Sequence, residues 1–176
     1  MKTLTADLMR KGLSALDTLL TQNLTLIVGG GGAMLLAHDF PLSTTDIDAI
    51  PKGMELGELD TLVKRVASEQ GLPTDWLNPY FSTFTHTLPP DYGTRLSTVF
   101  KGKHLHAEAL GVNEMLIMKC FAHRQKDVGH ARALIRKGAD LDAVEKHIEA
   151  LIARKIPQSN EALAFLHDIL DQEADR

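Results

Sequence analysis

The chain has 176 residues, a formal net charge of −4, a hydrophobic fraction of 44% and a charged fraction of 24%. These values are ordinary for a soluble globular protein of one domain, with or without a helical extension. No apolar run approaches the ~20 residues that a transmembrane helix needs, which argues against a membrane protein. The charged N-terminus is unlike a signal peptide, and the single cysteine, Cys120, cannot form an internal disulfide. We therefore expect a cytoplasmic protein.

Hydrophobic periodicity predicts the elements in chain order. Predicted helices cover residues 5–21, 31–38, 55–70, 114–124, 127–137, 140–154 and 159–172. Predicted strands cover residues 24–28, 45–50, 95–100 and 104–110. The remaining predictions are a loop at 39–45, a strand end at Pro51 to Gly53, a helical turn or loop at 75–80, and a helix cap at Asn113. This order predicts an α+β fold that becomes entirely helical after residue 113.

Charge is distributed unevenly along this order. Residues 101–137 are rich in Lys and Arg, whereas residues 138–176 are rich in Asp and Glu. A basic segment could meet phosphates, and an acidic tail could face a partner. Solvated helix faces explain both patterns equally well.

Asp46 and Asp48 are the strongest candidates for chemistry. Two residues that lie two apart in an extended segment project from the same face, with their Cα atoms about 7 Å apart. Both carboxylates can then converge on one ion or on a close pair of ions. Mg²⁺ prefers such hard oxygen ligands and often shares them with substrate phosphates. Because Asp-X-Asp is also common at exposed strand ends, the pair alone does not decide the function.

A glycine turn strengthens this interpretation. The run Gly29 to Gly32 separates an apolar strand from a short apolar helix. Backbone N–H groups of a glycine loop at a helix N-terminus can bind phosphate, which would lie beside the acidic strand. The run lacks the Gly-Lys-Ser/Thr of a P-loop, and the dinucleotide-binding pattern fails at Met34 or Leu35. A close strand–helix crossing without a ligand is the alternative explanation.

Glu108 is the best candidate for a third acid on a neighbouring strand. Alternation along this strand places His104, His106 and Glu108 on one face. Imidazole ligands would also suit zinc, which gives a second interpretation of the three residues. An exposed strand with alternating polar side chains is the third.

The acidic segment resembles the nucleotidyltransferase superfamily of DNA polymerase β type. The hallmark of that superfamily is a Gly-Gly or Gly-Ser turn, a spacer of about a dozen residues, and then Asp-X-Asp. Here Gly30-Gly31 or Gly31-Gly32 precedes Asp46-Ile47-Asp48. With Thr44-Thr45 in front of it, the motif is similar to the Thr-X-Asp-Ile-Asp form of bacterial toxin-type members.

A second stretch is similar to a helix pair of the AbiEii-like abortive-infection nucleotidyltransferases and their uncharacterised relatives. Its pattern Leu-X-Met-Lys-X-X-Ala begins at Leu116, and Arg-X-Lys-Asp begins at Arg124. The segment Asp75-Trp76-Leu77-Asn78 also looks like part of those relatives. The resemblance covers roughly residues 24–136.

The resemblance implies a nucleotidyltransferase fold and a set of site residues. The fold is a small mixed β-sheet flanked by helices, with residues 1–112 as the core and 113–176 as a helical region packed on it. The implied catalytic carboxylates and ligands of Mg²⁺ or Mn²⁺ are Asp46, Asp48 and Glu108. The implied nucleotide- and phosphate-binding residues are Gly30, Gly31, Gly32, Lys119 and Asp127. Asp127 would orient the helix pair or touch the nucleotide, and Lys119 could instead be a structural lysine that extends from an apolar helix.

The implied activity is metal-dependent transfer of a nucleoside monophosphate from an NTP to the hydroxyl of an RNA or tRNA, a protein or a small molecule. The toxin-type members also imply a toxin role with a cognate antitoxin. The alternative is a catalytically weak or inactive nucleotide-binding regulatory module on the same fold. It is motivated by the acidic C-terminal helices and by two departures from the family pattern: Leu42, where relatives often carry arginine, and Glu rather than Asp at position 108.

Overall fold

The computed structural model describes residues 3–41, 44–80 and 85–176. Leu42 and part of the predicted loop at 39–45 lie outside the described residues. The strands are β1 (Leu24–Gly29), β2 (Ile47–Lys52), β3 (Leu77–Asn78), β4 (Ser97–Lys101) and β5 (Leu105–Ala109). The helices are α1 (Ala6–Leu19), α2 (Gly30–Leu36), α3 (Leu56–Gln70), α4 (Val112–Ala122), α5 (Asp127–Arg136), α6 (Leu141–Ala153) and α7 (Ser159–Ala174). A short 3₁₀ helix covers Tyr92–Arg95.

The chain divides into two compact units. The first, called here the α/β unit, comprises Met1–Thr83 and Leu96–Leu110 and contains all five strands with α1 to α3. The second, called the helical unit, comprises Phe84–Arg95 and Gly111–Arg176 and contains α4 to α7. The predicted α+β fold class is thereby confirmed, and the predicted division of the chain at residues 112 and 113 stays a prediction.

The sheet is mixed and open, with the strand order β3-β2-β1-β5-β4. β1 runs antiparallel to β2 and parallel to β5, while β3 is parallel to β2 and β4 is antiparallel to β5. The short connection between β4 and β5 makes the predicted hairpin. The parallel pair of β1 and β5 needs a long connection, which contains α2, β2, α3, β3, the 3₁₀ helix and β4.

The two faces of the sheet differ in polarity. One face is apolar: Val28 of β1 pairs in register with Ala49 of β2 and Ala109 of β5, and all three are buried. Helix α2 packs on this face, since Gly32 approaches Ile47 closely. The opposite face carries Asp48 and Glu108, because residues in register or two apart along a strand project the same way. The sheet therefore buries its aliphatic side under α2 and carries Asp48 and Glu108 on the opposite face.

Trp76 anchors the segment that leads into β3. Its ring is fully buried, and its indole N–H donates a hydrogen bond to the backbone carbonyl of Val63 in α3 at 3.0 Å. On α1, Gly12 lies so close to this ring that a Cβ would come within 2.7 Å of it. The backbone carbonyl of Trp76 then accepts from the N–H of Ile47 at 2.8 Å, which starts the pairing of β3 with β2.

The helical unit is organised around α4. This helix is apolar on nearly all sides, as expected for a helix with neighbours all round it. Helices α5, α6 and α7 all contact it. Among the described residues, no helix combines the length and the apolar composition that crossing a bilayer requires.

One sequence prediction about the end of a strand in the α/β unit is confirmed, and one about a loop is wrong. β2 ends at Lys52, within the predicted strand end at Pro51 to Gly53, although Pro51 itself still pairs with Leu26. β3 flanks β2 only at Ile47 and Asp48, so β2 is an edge strand at Pro51, where proline is tolerated. The predicted turn or loop at 75–80 contains β3, which is too short to leave a periodic signal.

Two further predictions fail in the helical unit. Asn113 is not the cap of α4, because the helix starts at Val112 with Gly111 as its N-cap. Instead, the side-chain oxygen of Asn113 accepts a hydrogen bond from the backbone N–H of Asp140 at 2.8 Å, which ties the starts of α4 and α6 together. Arg95 does not begin β4 but ends the 3₁₀ helix.

Candidate active site

The acidic pair lies at the start of β2. Asp46 directly precedes the strand, and Asp48 is its second residue. Burial alternates here: Ile47 is fully buried, whereas the two aspartates are partly exposed. This alternation agrees with the sequence prediction that both acids lie on the same side of the strand.

The glycine turn lies directly beside Asp48. β1 ends at Gly29, which is the register partner of Asp48, and α2 begins at Gly30. Gly30 has a φ of 56°, and a Cβ at this position would overlap the Oδ2 atom of Asp48. Glycine is therefore required here for two reasons, the left-handed backbone and the close approach of the carboxylate.

The other two glycines of the predicted phosphate loop differ from Gly30. Gly31 is partly exposed in the first turn of α2. Gly32 is buried, and its Cβ position lies 3.3 Å from Cγ2 of Ile47, so it serves the close crossing of α2 over the sheet. The turn thus combines a packing role at Gly32 with an accessible backbone at Gly30 and Gly31.

The side-chain amide of Asn78, which no local sequence pattern marks as a site residue, holds the other oxygen of Asp48. Asn78 is the register partner of Asp48 on β3, and its Nδ2 donates to Oδ1 of Asp48 at 3.0 Å. The Oδ1 atom of Asn78 accepts from the backbone N–H of Tyr80 at 3.1 Å. The Asp48 carboxylate is therefore bounded by an amide donor at one oxygen and by Gly30 at the other.

Glu108 is more distant from the acidic pair than expected. Its strand, β5, neighbours β1 rather than β2, so two strand spacings of about 4.8 Å each separate it from Asp48. Its carboxylate lies 3.8 Å from Nε2 of His106. In the described ranges, no group of three or more His, Cys, Asp or Glu side chains is placed to hold a metal ion, either with the aspartates or around His104 and His106.

Lys119 and Asp127, the two candidates from the second motif, form a buried cluster in the helical unit. The Nζ atom of Lys119 donates to Oδ1 of Asp127 at 3.1 Å, and Nε of Arg124 donates to Oδ2 at 2.7 Å. The backbone N–H of Arg124 also donates to Asp127. Asp127 thus joins the end of α4 to the start of α5, which fits the first of its two predicted roles, the orientation of the helix pair.

The charges of this cluster reflect its burial. Burial lowers the pKa of Lys119, and the neighbouring charge of Asp127 offsets part of the shift. Burial raises the pKa of Asp127, but hydrogen bonds from Arg124 and the charge of Lys119 outweigh it, so the pKa is lowered below its ordinary value. The ammonium of Lys119 is thus occupied by Asp127, and its predicted contact with a phosphate stays a prediction.

A cavity of about 400 Å³ opens elsewhere in the helical unit, beside the starts of α4 and α6. Glu114, which is fully buried, lines it together with Arg95 and Asp91. The Nε atom of Arg95 donates to Glu114 at 2.6 Å, and its two terminal nitrogens bind the Asp91 carboxylate at 2.9 and 3.0 Å. Arg95 therefore joins a buried acid and a surface acid.

Comparison with known families supports the superfamily that the first motif resembles. A family model described as "Nucleotidyltransferase of unknown function (DUF6036)" matches residues 9–169. The chain belongs to this family. The match includes the glycine turn, the acidic pair and all seven helices in whole or in part. No curated protein and no solved structure matches the chain.

The residues of this DUF6036 chain can be tested for their fit to a divalent cation. Asp48 presents a carboxylate oxygen beside Gly30, and Asp46 lies two residues earlier in the chain, partly exposed like Asp48. Carboxylate oxygens are the hard donors that Mg²⁺ prefers. Mg²⁺ commonly uses one or two carboxylates and completes its shell with water and phosphate oxygens, so a third protein ligand is not required. The two aspartates therefore fit Mg²⁺ or Mn²⁺.

Proposed function

We propose that this member of the DUF6036 family is a metal-dependent nucleotidyltransferase that transfers a nucleoside monophosphate from an NTP to an acceptor hydroxyl. The observation that carries the proposal is the apposition of Gly30 and the Asp48 carboxylate, which places a glycine turn beside an acidic pair. A turn that served only chain packing would not need a carboxylate in contact with its glycine. The family match supports the reaction class.

In the proposed reaction, the acceptor oxygen attacks the α-phosphorus of the NTP. A new bond forms from the acceptor oxygen to that phosphorus, the bond to the bridging oxygen breaks, and pyrophosphate leaves. The proton of the acceptor hydroxyl passes to solvent water. Asp46 and Asp48 would hold the divalent ion, which supplies charge neutralisation at the phosphates. The accessible backbone at Gly30 and Gly31 would bind phosphate oxygens through N–H groups. The acceptor is an RNA or tRNA, a protein or a small molecule with a free hydroxyl.

The proposal is tested by incubating the purified chain with each labelled NTP, Mg²⁺ and either total RNA, protein or small-molecule extracts. We expect label transfer that is lost on chelation. Asp46→Asn and Asp48→Asn should each reduce transfer at least ~100-fold, because several kcal/mol of charge stabilisation depend on the ion. Asp75→Asn, an exposed acid of the same unit, is the matched control.

Two results would reject the enzyme: no transfer to any acceptor, or full transfer by the doubly substituted Asp46→Asn, Asp48→Asn chain. Glu108→Gln is a separate arm of the same assay. If Glu108→Gln loses as much label transfer as the aspartate variants do, the result supports the predicted role of Glu108 in aligning the acceptor. If label transfer is retained, Glu108 is only a surface residue of the sheet.

A nucleotide-binding module without turnover is the second candidate function. The absence of a third acid beside Asp46 and Asp48 among the described residues favours it. Calorimetry separates the two functions, because NTP binding without label transfer supports the module. Failure to bind any NTP rejects both.

A toxin role with a cognate antitoxin rests on the resemblance of the motif alone. We propose to test it by inducing the chain in a bacterial host. Growth arrest that Asp48→Asn abolishes would support a toxin, and unaffected growth at high expression would contradict it.

A further inference from the structure

The Asp48 carboxylate is bound by Asn78, whose position is set by the pairing of β2 with β3. Asn78 lies opposite it in register, on a strand of two residues. Side chains of register partners lie on the same face about one strand spacing apart. The Nδ2 of Asn78 donates to Oδ1 of Asp48 at 3.0 Å, across 30 residues of sequence.

The orientation of the Asn78 amide is fixed by its second hydrogen bond. Its Oδ1 accepts from the backbone N–H of Tyr80 at 3.1 Å. A flipped amide would face its oxygen towards a carboxylate oxygen and its NH₂ towards an N–H, so both contacts would become repulsive. Only one orientation satisfies both partners, and it directs a neutral donor at Asp48.

The segment that carries Asn78 is itself anchored. Trp76, two residues earlier, is fully buried, and its indole donates to Val63 of α3. The Trp76 carbonyl accepts from Ile47, the residue immediately before Asp48. The donor and the acceptor of the Asn78–Asp48 hydrogen bond therefore lie on the paired strands β2 and β3, next to the anchored Trp76.

We propose that Asn78 is a positioning residue that fixes the Asp48 carboxylate for a divalent cation, an inference that rests on the proposed function. Gly30 bounds Oδ2 of Asp48, and the Asn78 amide holds Oδ1. Each carboxylate oxygen has two lone pairs, so one hydrogen bond at Oδ1 leaves a lone pair for an ion. A neutral amide holds the group without adding a charge that would compete for the ion, as an aspartate at position 78 would.

The test measures Mn²⁺ affinity, so it does not depend on turnover. Mn²⁺ is titrated into the full chain with a non-hydrolysable NTP analogue, and free Mn²⁺ is followed by electron paramagnetic resonance. We expect Asn78→Ala to weaken Mn²⁺ binding by about 10- to 100-fold, the usual effect of removing a partner of a metal ligand. Asn23→Ala, which removes an asparagine of the same unit that contacts His104, should bind as the wild-type chain does.

Thermal unfolding of the metal-free variants separates positioning from a structural role. Asn78 is partly exposed, so we expect the melting temperature of Asn78→Ala to stay close to that of Asn23→Ala. If transfer activity is found, raising Mg²⁺ should restore turnover of Asn78→Ala but not of Asp48→Asn. A lowered melting temperature with wild-type Mn²⁺ affinity would assign Asn78 to the fold and overturn the inference.

The outcomes distinguish this inference from the function on which it rests. If the wild-type chain binds Mn²⁺, Asp48→Asn loses it and Asn78→Ala retains it, the inference is wrong and the proposed function stands. If the wild-type chain binds no Mn²⁺ with or without the analogue, both are overturned.

Discussion

Gly30 is the residue at which the turn between β1 and α2 meets the acidic strand. Its φ of 56° lies in the region that costs other residues about 1–2 kcal/mol, and the Asp48 carboxylate occupies the space of a Cβ. The same glycine therefore serves both the backbone and the geometry of the site. Its substitution should affect stability and metal binding together.

Gly30→Ala should lower the free energy of unfolding by about 1–2 kcal/mol and weaken Mn²⁺ binding about tenfold or more, because the new methyl group displaces Asp48. Urea unfolding and Mn²⁺ titration measure the two effects. Gly57→Ala is the control, since no heavy atom lies within 4 Å of a Cβ at that position in α3. Unchanged Mn²⁺ affinity in Gly30→Ala would contradict the close contact with Asp48.

Proximity of residues was predictable where the residues lie close together in the chain. The glycines and the two aspartates lie within about one strand–turn–strand unit, so their spacing indicated their proximity. Asn78 gave no such signal, because its partner is 30 residues away and its strand has two residues. Hydrogen bonds between distant segments depend on strand register, which periodicity does not reveal.

At the scale of elements, the carboxylate of Asp17 connects α1 to the hairpin of β4 and β5. Asp17 accepts hydrogen bonds from the backbone N–H groups of Lys103, His104 and Leu105 at 2.7–2.9 Å. Burial raises the pKa of Asp17, but these hydrogen bonds outweigh it and lower the pKa below its ordinary value. Asp17 therefore binds the turn between β4 and β5 as a charged carboxylate.

Asp17→Asn should destabilise the protein by about 1–2 kcal/mol at neutral pH, because an amide has one acceptor oxygen for three donors and solvent screens part of the effect. Urea unfolding measures the change. Asp7→Asn, at an exposed position in the first turn of the same helix, should change stability much less. Equal effects of the two substitutions would show that the hairpin does not need the carboxylate.

The start of α4 depends on a different pair. Glu114 is fully buried, and Arg95 is the cation bound to it. Arg95→Met leaves that carboxylate buried without its cation, which should cost about 3 kcal/mol. The double variant Arg95→Met, Glu114→Gln should recover part of the loss, because no buried charge remains. A double variant that is less stable than Arg95→Met, measured by urea unfolding, would contradict this explanation.

Long helices were predictable from the sequence, whereas their caps and the shortest strand were not. The period of α3, α6 and α7 spans several turns, and each was located to within a few residues. Asn113 was mistaken for a cap because its side chain suits that role, yet it bonds to Asp140 of a later element. Local propensity could not reveal that competing partner.

At the scale of the whole molecule, strand order was the feature least accessible from sequence. The sequence predicted a third acid on a strand next to the acidic pair. In the sheet, β1 lies between β2 and β5, so Glu108 shares a face with Asp48 but not an adjacent strand. Composition and periodicity constrain which elements form, and long-range pairing decides which of them become neighbours.

At the scale of the whole molecule, the free energy of unfolding should decrease in two stages as the pH is lowered. The first stage involves His130. Burial and the charge of Lys119 lower the pKa of His130 below its ordinary 6.5, and Asp127 offsets part of the shift. The unfolded chain therefore binds a proton near pH 6.5 that the folded chain does not accept until lower pH. The free energy of unfolding should decrease as pH falls below about 6.5, by at most ~1.4 kcal/mol per pH unit for this one group.

The second stage involves Asp17 and Asp127, whose pKa values are lowered below 3.8 in the folded chain. Their contribution is fully present above the unfolded value and is lost as pH falls through the folded values, because the unfolded carboxyls bind protons first. Urea unfolding at about pH 7, 5 and 3 measures both stages. His130→Gln should flatten the change between about pH 7 and 5 and leave the lower stage intact, whereas Asp17→Asn should reduce only the lower stage. An identical slope between pH 7 and 5 with and without His130 would show that its burial does not govern acid sensitivity.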